Sequence, residues 1–379
     1  MRVALLGAGH IGQTIARLLQ RSGDYEVTVV DRSAQALALL APPGTGTGAA
    51  AGGPAGVRTL VADTSDAGAL RQALQGHDAV LNALPYHLAT LAASAARESR
   101  CHYFDLTEDV AATRAIKQLG EGAATVLMPQ CGLAPGFIGI VAHHLAQSFE
   151  TLHDVKMRVG ALPAFPTNSL KYNLTWSVDG LINEYCHPCE AIRDGQNIEV
   201  LPLEGLEHFS LDGTEYEAFN TSGGLGTLCE TLAGRVRNLD YKSVRYPGHR
   251  YLMKMLLEEL NLNQEPETLK DIMRRSIPST MQDVVLVFVT VSGFRRGTLV
   301  QEVFARKIFA ERAPADGGEP LSAIQITTAA GICAALDLFR EGKLPQRGFV
   351  RQEQVALPDF LANRFGSAYQ QSRQVQSIG

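Results

Sequence analysis

The chain has 379 residues, too many for most single cores, and 45% of them are apolar against 19% charged, so it reads as a globular protein of two domains. Its net charge of −5 comes without a basic stripe and gives no sign of a nucleic-acid partner, and its apolar runs are too short and broken to suggest a membrane span. No signal-peptide pattern opens it and its six cysteines are scattered, so reduced thiols and a cytoplasmic location are expected.

Apolar, β-branched runs predict strands at residues 2–6, 27–31, 57–62, 79–84, 102–106 and 125–129. Helical patterns separate them at 11–21, 34–40, 66–75, 88–99 and 110–120. The alternation predicts an α/β domain with a parallel sheet covered on both faces, and six such strands complete the doubly wound, Rossmann-type fold. "PPGTGTGAAAGGPAG", residues 42–56, interrupts the rhythm and reads as a flexible surface loop between the second and third strands. After Gly136 the pattern changes. A long strand is expected at 155–162, a helix at 170–185, a glycine turn at "TSGGLG", a strand ending in "SVRYPGH" and a helix at 250–260. Residues 284–294 and 298–309 read as an antiparallel hairpin around "RRG", and 325–339 as an Ala-rich helix. This is the pattern of an α+β second domain.

The stretch "GAGHIG" follows the first strand and opens a helix. Gly7 makes the tight turn, Gly9 lets backbone approach a pyrophosphate, and Gly12 lets the helix pack close to the sheet. His10 and Ile11 belong to the same cofactor-binding helix start. Asp31 ends the second strand, where a carboxylate accepts hydrogen bonds from the ribose hydroxyls and repels a 2′-phosphate, so NAD is favoured over NADP. Arg32 beside it is the residue that could reverse this by pairing a phosphate. Asp63 and Thr64 end the third strand and can meet the adenine, while Ser65 or Asp66 would cap the next helix. In "NALPYH", Asn82, Leu84 and Pro85 should run past the nicotinamide ribose, and His87 is a proton carrier or a helix cap. In "CHYFDLTED", Asp105 is a general base or a positioning group, and Thr107 touches the cofactor or caps the following helix. "PQCGLAPGF" places Leu133 and Pro135 beside the nicotinamide, unless the turn is a mere linker. "CHPC" has no second ligand pair at matching spacing, so no metal is expected and a structural role is read. In "SVRYPGHRY", Arg245 could grip a substrate carboxylate and His249 could move a proton; otherwise they are a surface ion pair and a helix-start residue.

With "NTSGGLGTL", "YKSVRYPGH" and "GKLPQRGFV" added, the sequence resembles the saccharopine dehydrogenase family over nearly its whole length. The resemblance implies a dinucleotide-binding domain at 1–133 plus about 325–379, and an inserted domain at 134–324 for substrate and dimer contacts. It also implies a reaction that makes or breaks a C–N bond of an amino acid, with hydride passing to or from a nicotinamide. Saccharopine-forming members resemble "GLDPG" at the domain junction; here Ala134 takes the acidic place. The sequence is therefore more similar to the lysine 6-dehydrogenase branch, which oxidises the side-chain amine of L-lysine with NAD and releases ammonia. On that reading Arg245 takes the α-carboxylate, Asp105 and His249 are the proton-transfer candidates, and Tyr86, Tyr172, Asn173 and Trp176 line the substrate, the last three from a helix. Saccharopine or another opine-type dehydrogenase, and a nucleotide-sensing protein without turnover, are the alternatives; a homodimer is the expected assembly.

Overall fold

A computed structural model describes residues 1–40, 57–311 and 320–370, so the glycine-rich stretch at 42–56 lies outside the described residues. The chain divides into two compact units, Met1–Phe137 with Thr328–Ala368, and Ile138–Thr327 with Tyr369.

The first unit is built on β1 (Arg2–Leu6), β2 (Glu26–Asp31), β3 (Arg58–Val61), β4 (Ala79–Asn82), β5 (His102–Asp105) and β6 (Val126–Met128). A seventh strand, β15 (Gly348–Phe349), arrives from far down the chain, and the order is β15-β6-β5-β4-β1-β2-β3. Every pairing is parallel, with Leu6 opposite both Val30 and Asn82. The order reverses between β1 and β4, which opens the crevice where ligands bind in such sheets. Val3, Leu5, Val29, Leu81 and Phe104 are fully enclosed, because strands covered on both faces carry unbroken apolar runs. Three of the helices between them start where short polar side chains take up free N–H groups: Ser33 accepts from Ala36, Asp66 from Ala69, and Asp109 from Ala112.

A buried carboxylate at the centre of a small polar cluster helps fasten the returning segment to the first, with Asp24 also pairing with Arg340 and Arg364. Asp337 accepts from Tyr25 Oη at 2.5 Å, Asn363 Nδ2 at 2.8 Å and Arg364 Nη2 at 2.8 Å, with 1% of its side chain exposed. These cationic and hydroxyl donors hold it below the usual carboxylate range against the opposing effect of burial. Asp337 lies on the helix Ala323–Arg340, which by length and composition could cross a bilayer; 83% of that window is buried within the protein. All six cysteines are free thiols.

The second unit contains β7 (Thr151–Pro163), β8 (Cys189–Arg193), β9 (Gln196–Val200), β10 (Glu207–Leu211), β11 (Thr214–Asn220), β12 (Val236–Arg245), β13 (Asp283–Arg295) and β14 (Thr298–Phe309). The main path runs β10-β11-β12-β7-β13-β14, and β8 pairs with both β12 and β9. Only β12 and β7 run parallel; the rest are antiparallel. The β8–β9 and β10–β11 hairpins turn on Asp194–Gly195 and Asp212–Gly213, where both residues of each pair take positive φ. One core gathers Tyr172, Leu181, Phe219, Met253 and Leu269, and another gathers Leu162, Tyr216, Val244 and Leu286.

The expected helix at 170–185 is only half a helix. It spans Val178–Cys186, starting at Ser177, whose side chain accepts from Gly180 N–H. Upstream, Lys171 takes φ +50°, and Leu174 is held in an extended bridge, accepting from Thr280 and donating to Pro278. Those two backbone bonds outcompete helical ones. Tyr172, Asn173 and Trp176 therefore lie on a loop.

Candidate dinucleotide and substrate sites

The dinucleotide cradle sits at the carboxyl ends of β1 and β2. The helix His10–Ser22 starts at Gly9, and among the described residues no side chain caps its first turn. Its free N–H groups and positive dipole end are therefore open to an anion. Gly9 and His10 are exposed and Ile11 is half-buried. A Cβ at Gly12 would overlap the Gly7 carbonyl oxygen, so only glycine lets the helix start this close to the turn. A Cβ at Gly9 would meet none of the described residues within 4 Å, which leaves that side of the turn clear of them for a ligand. The residues present thus fit a bound dinucleotide.

Asp31 is fixed at the end of β2 by two backbone donors. Its Oδ2 accepts from Ala8 N–H at 2.7 Å and its Oδ1 from Ser33 N–H at 2.8 Å. Each oxygen keeps a further lone pair for a ribose hydroxyl. Arg32 is exposed, and its charge acts on the exposed Asp63. Asp63 closes a local turn, accepting from both Ser65 N–H and Ser65 Oγ, which lowers its pKa. Capping the next helix falls to Asp66, so Asp63 has no cap to make. Thr64 is buried beside it.

At the next strand ends the polar groups face one another. Asn82 Nδ2 donates to Tyr103 Oη at 2.9 Å, and Asn82 Oδ1 accepts from Leu84 N–H at 3.1 Å. Tyr103 Oη in turn donates to Asp105 Oδ2 at 2.9 Å. Asp105 Oδ1 accepts from Thr107 N–H at 3.0 Å and from Gln130 N–H at 2.9 Å. Burial pushes Asp105 up to about 6, partly offset by these donors. With no exposed surface and both oxygens occupied by the chain itself, Asp105 has the geometry of a positioning group rather than a base. What it positions is the turn after β6: Gln130 takes φ +66°, and Cys131 N–H donates to the Asp105 carbonyl at 2.7 Å. Leu133 and Pro135 lie buried in that turn. Gly136, at φ +134°, closes it where a Cβ would overlap the Gly132 and Gln130 carbonyls.

Thr107 does not cap the helix Val110–Gly120. Asp109 does, and Thr107 Oγ1 accepts from Asp109 N–H at 3.3 Å. Pro85 is exposed at the rim, Leu84 and Tyr86 are half-buried, and Tyr86 packs edge-on to the exposed His87. Glu108 is a residue that the sequence alone did not single out. It is partly open to solvent, yet enough protein surrounds its carboxyl to push it up to about 7, with Asp109 and Asp105 adding to the rise.

In the second unit, Arg245 and His249 do come together, but in the interior. Arg245 Nε donates to Tyr185 Oη at 3.0 Å and its Nη1 to the Val244 carbonyl at 2.8 Å. Its guanidinium carbon lies 5.4 Å from the Tyr172 ring centre and 5.9 Å from that of Tyr185. Tyr185 Oη is 3.1 Å from His249 Nε2, and His249 Nδ1 is 3.0 Å from the Leu170 carbonyl. A carbonyl only accepts, so the proton is on Nδ1 and Nε2 accepts from Tyr185. Burial and the nearby Arg245 charge push His249 down to about 3. His249 is therefore locked neutral with no exposure, and it holds the loop of Tyr172, Asn173 and Trp176 through Leu170 instead of carrying protons. Arg245, with two of its N–H groups spent inside the unit and 3% exposure, is no surface ion pair and lacks a free Nε side for a bidentate grip. Among the described residues Asn173 Oδ1 is buried without a hydrogen-bond partner, so this loop keeps acceptor capacity unspent. Cys186 ends the helix Val178–Cys186 and Cys189 begins β8; among the described residues no group of three or more His, Cys, Asp or Glu side chains converges as a metal site.

Comparison with known proteins agrees with this architecture. The model of the saccharopine dehydrogenase NADP binding domain matches residues 3–126, and that of the saccharopine dehydrogenase C-terminal domain matches residues 132–366. The chain is 25% identical over 219 residues to saccharopine dehydrogenase (NADP+, L-glutamate-forming) of Saccharomyces cerevisiae, covering 54% of this chain and 44% of that protein. It is 20% identical over 404 residues to the mitochondrial alpha-aminoadipic semialdehyde synthase of Rattus norvegicus, covering 100% of this chain and 41% of the other. The chain thus spans less than half the length of these curated relatives. Among solved structures, apo saccharopine dehydrogenase (L-Glu forming) from Saccharomyces cerevisiae shares the fold, with a TM-score of 0.76 over 96% of this chain and 98% of that one at 17% identity. Through the two family models, which together take in both units, the chain belongs to the saccharopine dehydrogenase family.

Proposed function

We propose that the protein is a nicotinamide-dependent oxidoreductase acting on the C–N bond of an amino acid, and that it oxidises the side-chain amine of L-lysine with NAD. The observation that carries the cofactor half is the anchored Asp31 carboxylate at the end of β2, beside an uncapped helix start. A fixed negative charge there suits two ribose hydroxyls and opposes a 2′-phosphate. When bound, the nicotinamide supplies a two-electron acceptor that takes hydride at its C4. The chain's own contribution is to hold the crevice edge rigid: Asp105 ties the ends of β5 and β6 through Thr107, Gln130 and Cys131. The substrate half rests on Ala134, which leaves the junction turn without the acidic side chain of the saccharopine-forming pattern.

Two observations favour a second reading, in which saccharopine is the substrate and NADP the cofactor. The relatives carry those names, and the exposed Arg32 stands where a 2′-phosphate could pair with it. One experiment separates the two. The purified protein is mixed with L-lysine or with saccharopine, each with NAD or NADP, and absorbance of the reduced nicotinamide is followed. Turnover of lysine with NAD supports the proposal; turnover of saccharopine alone overturns its substrate half, and a preference for NADP its cofactor half.

A further inference from the structure

We infer that Glu108 is the proton acceptor for the substrate's ammonium group, a role that rests on the amine-oxidising reading above. In a doubly wound sheet the second mononucleotide half lies over β4, β5 and β6. Asp31, on β2, marks the adenosine half, so the stretch just past β5 borders the nicotinamide half. That stretch is Leu106 to Asp109, and its backbone is clamped on both sides of Glu108. Thr107 N–H is held by Asp105, and Asp109 is held by Thr107 Oγ1 while it caps the helix Val110–Gly120. Of the polar side chains here, Asp105, Thr107 and Asp109 are all used by the chain itself. Glu108 is bonded to no other side chain among the described residues, and part of its surface is open.

Its electrostatic surroundings suit the task. The charges that act on Glu108 are the carboxylates of Asp109 and Asp105, and no lysine, arginine or histidine among the described residues forms an ion pair with it. A carboxyl in such a setting titrates near neutrality, where a base can both accept and release a proton. An amine must lose its extra proton before hydride can leave the adjacent carbon. The ammonium R–CH2–NH3+ gives one proton to the Glu108 carboxylate, and R–CH2–NH2 remains. The carbon then passes hydride to the oxidised nicotinamide, leaving the iminium R–CH=NH2+, a reduced cofactor and a protonated Glu108.

The test uses the full chain and two readouts. In the first, carboxyl carbons of glutamate are labelled with 13C, and spectra of the wild type and Glu108→Gln are compared from pH 4 to 9. A signal missing from the variant should titrate near neutral pH in the wild type; a titration in the ordinary glutamate range overturns the inference. In the second, kcat/KM for the amine is measured against pH. The wild type should rise through about pH 7, and Glu108→Gln should lose that limb and fall by about 10²- to 10⁴-fold. Unchanged NADH binding and thermal midpoint in the variant should separate this loss from misfolding. If the wild type turns over the amine and the variant keeps both rate and pH limb, Glu108 is not the acceptor and the amine-oxidising reading stands. If the wild type oxidises no amine, that reading falls and takes the role of Glu108 with it.

Discussion

Replacing Asp31 by asparagine should shift cofactor preference towards NADPH, and its size follows from the geometry at the end of β2. Asp31 offers one oxygen to Ala8 N–H and the other to Ser33 N–H, at 2.7 and 2.8 Å, so the carboxylate cannot swing away from a phosphate placed beside it. A pair of like unit charges about 4 Å apart costs about 1 kcal/mol in water and about 4 kcal/mol at an effective dielectric of 20. A half-buried strand end lies between these limits, at about 2–3 kcal/mol, which is about a 30- to 150-fold change in relative affinity. Asparagine keeps the shape and removes the charge, giving up one of the two backbone anchors because its Nδ2 donates and cannot accept. The assay is fluorescence titration with NADH and NADPH, which needs no knowledge of the substrate. The ratio of the two dissociation constants should move by that factor. A ratio unchanged within about threefold, judged against the 1.4 kcal/mol that a tenfold change requires, would refute the electrostatic argument.

Other changes test the scaffold around the site. Asp337→Ala strips a buried acceptor from Tyr25, Asn363 and Arg364 and should cost about 3–5 kcal/mol in denaturant unfolding; a loss under 1 kcal/mol would mean that water replaces it. Because Asp337 is held below its unfolded pKa, its contribution is present above about pH 4 and disappears as pH falls further. His249 gives a second, higher pH window. It is neutral when folded down to about pH 3 but protonates near 6.5 when unfolded, so stability falls as pH drops from 6.5 towards 3, by up to about 1.4 kcal/mol per unit. His249→Gln should flatten that slope, and an equal slope in the variant would assign it elsewhere. Gly136→Ala should destabilise the first unit by about 3 kcal/mol or more, read as a thermal shift, since the added methyl meets backbone carbonyls and not a movable side chain.

Where the sequence was readable and where it was not follows from physical causes. Five of the six strands, β1, β2, β4, β5 and β6, announced themselves because burial on both faces demands unbroken apolar runs, while β3 is exposed along its length and was marked by its β-branched Thr59 and Val61. β15 could not, since two residues carry no period. The hairpins β8–β9 and β10–β11 are short and half-exposed, so their alternation is weak, yet each turns on an Asp-Gly pair that is itself a strong hairpin signal. The helix expected at 170–185 failed upstream of Ser177 because distant Pro278 and Thr280 supply the backbone partners of Leu174, a competition no local window contains. The same limit hid the fate of Arg245 and His249. Their residue types signal chemistry, but Tyr185, sixty residues away along the chain, turns them inward. Glu108 escaped notice for the opposite reason: its meaning lies in the absence of a counter-charge, which spacing does not encode.

The late arrival of β15 and the Ala323–Arg340 helix has a consequence for biosynthesis. The first unit is discontinuous, whereas the second is nearly all one stretch, Ile138–Thr327. A ribosome therefore delivers six of the seven parallel strands, then the whole second unit, before the segment that carries Asp337 emerges. Until then Tyr25 has no acceptor and the outer side of β6 has no neighbour. Vectorial synthesis favours folding the interior stretch first, while the nucleotide-binding half waits as an unfinished sheet with an open strand flank. In such a nascent chain the dinucleotide would act late, selecting the completed sheet by binding it and not the waiting form.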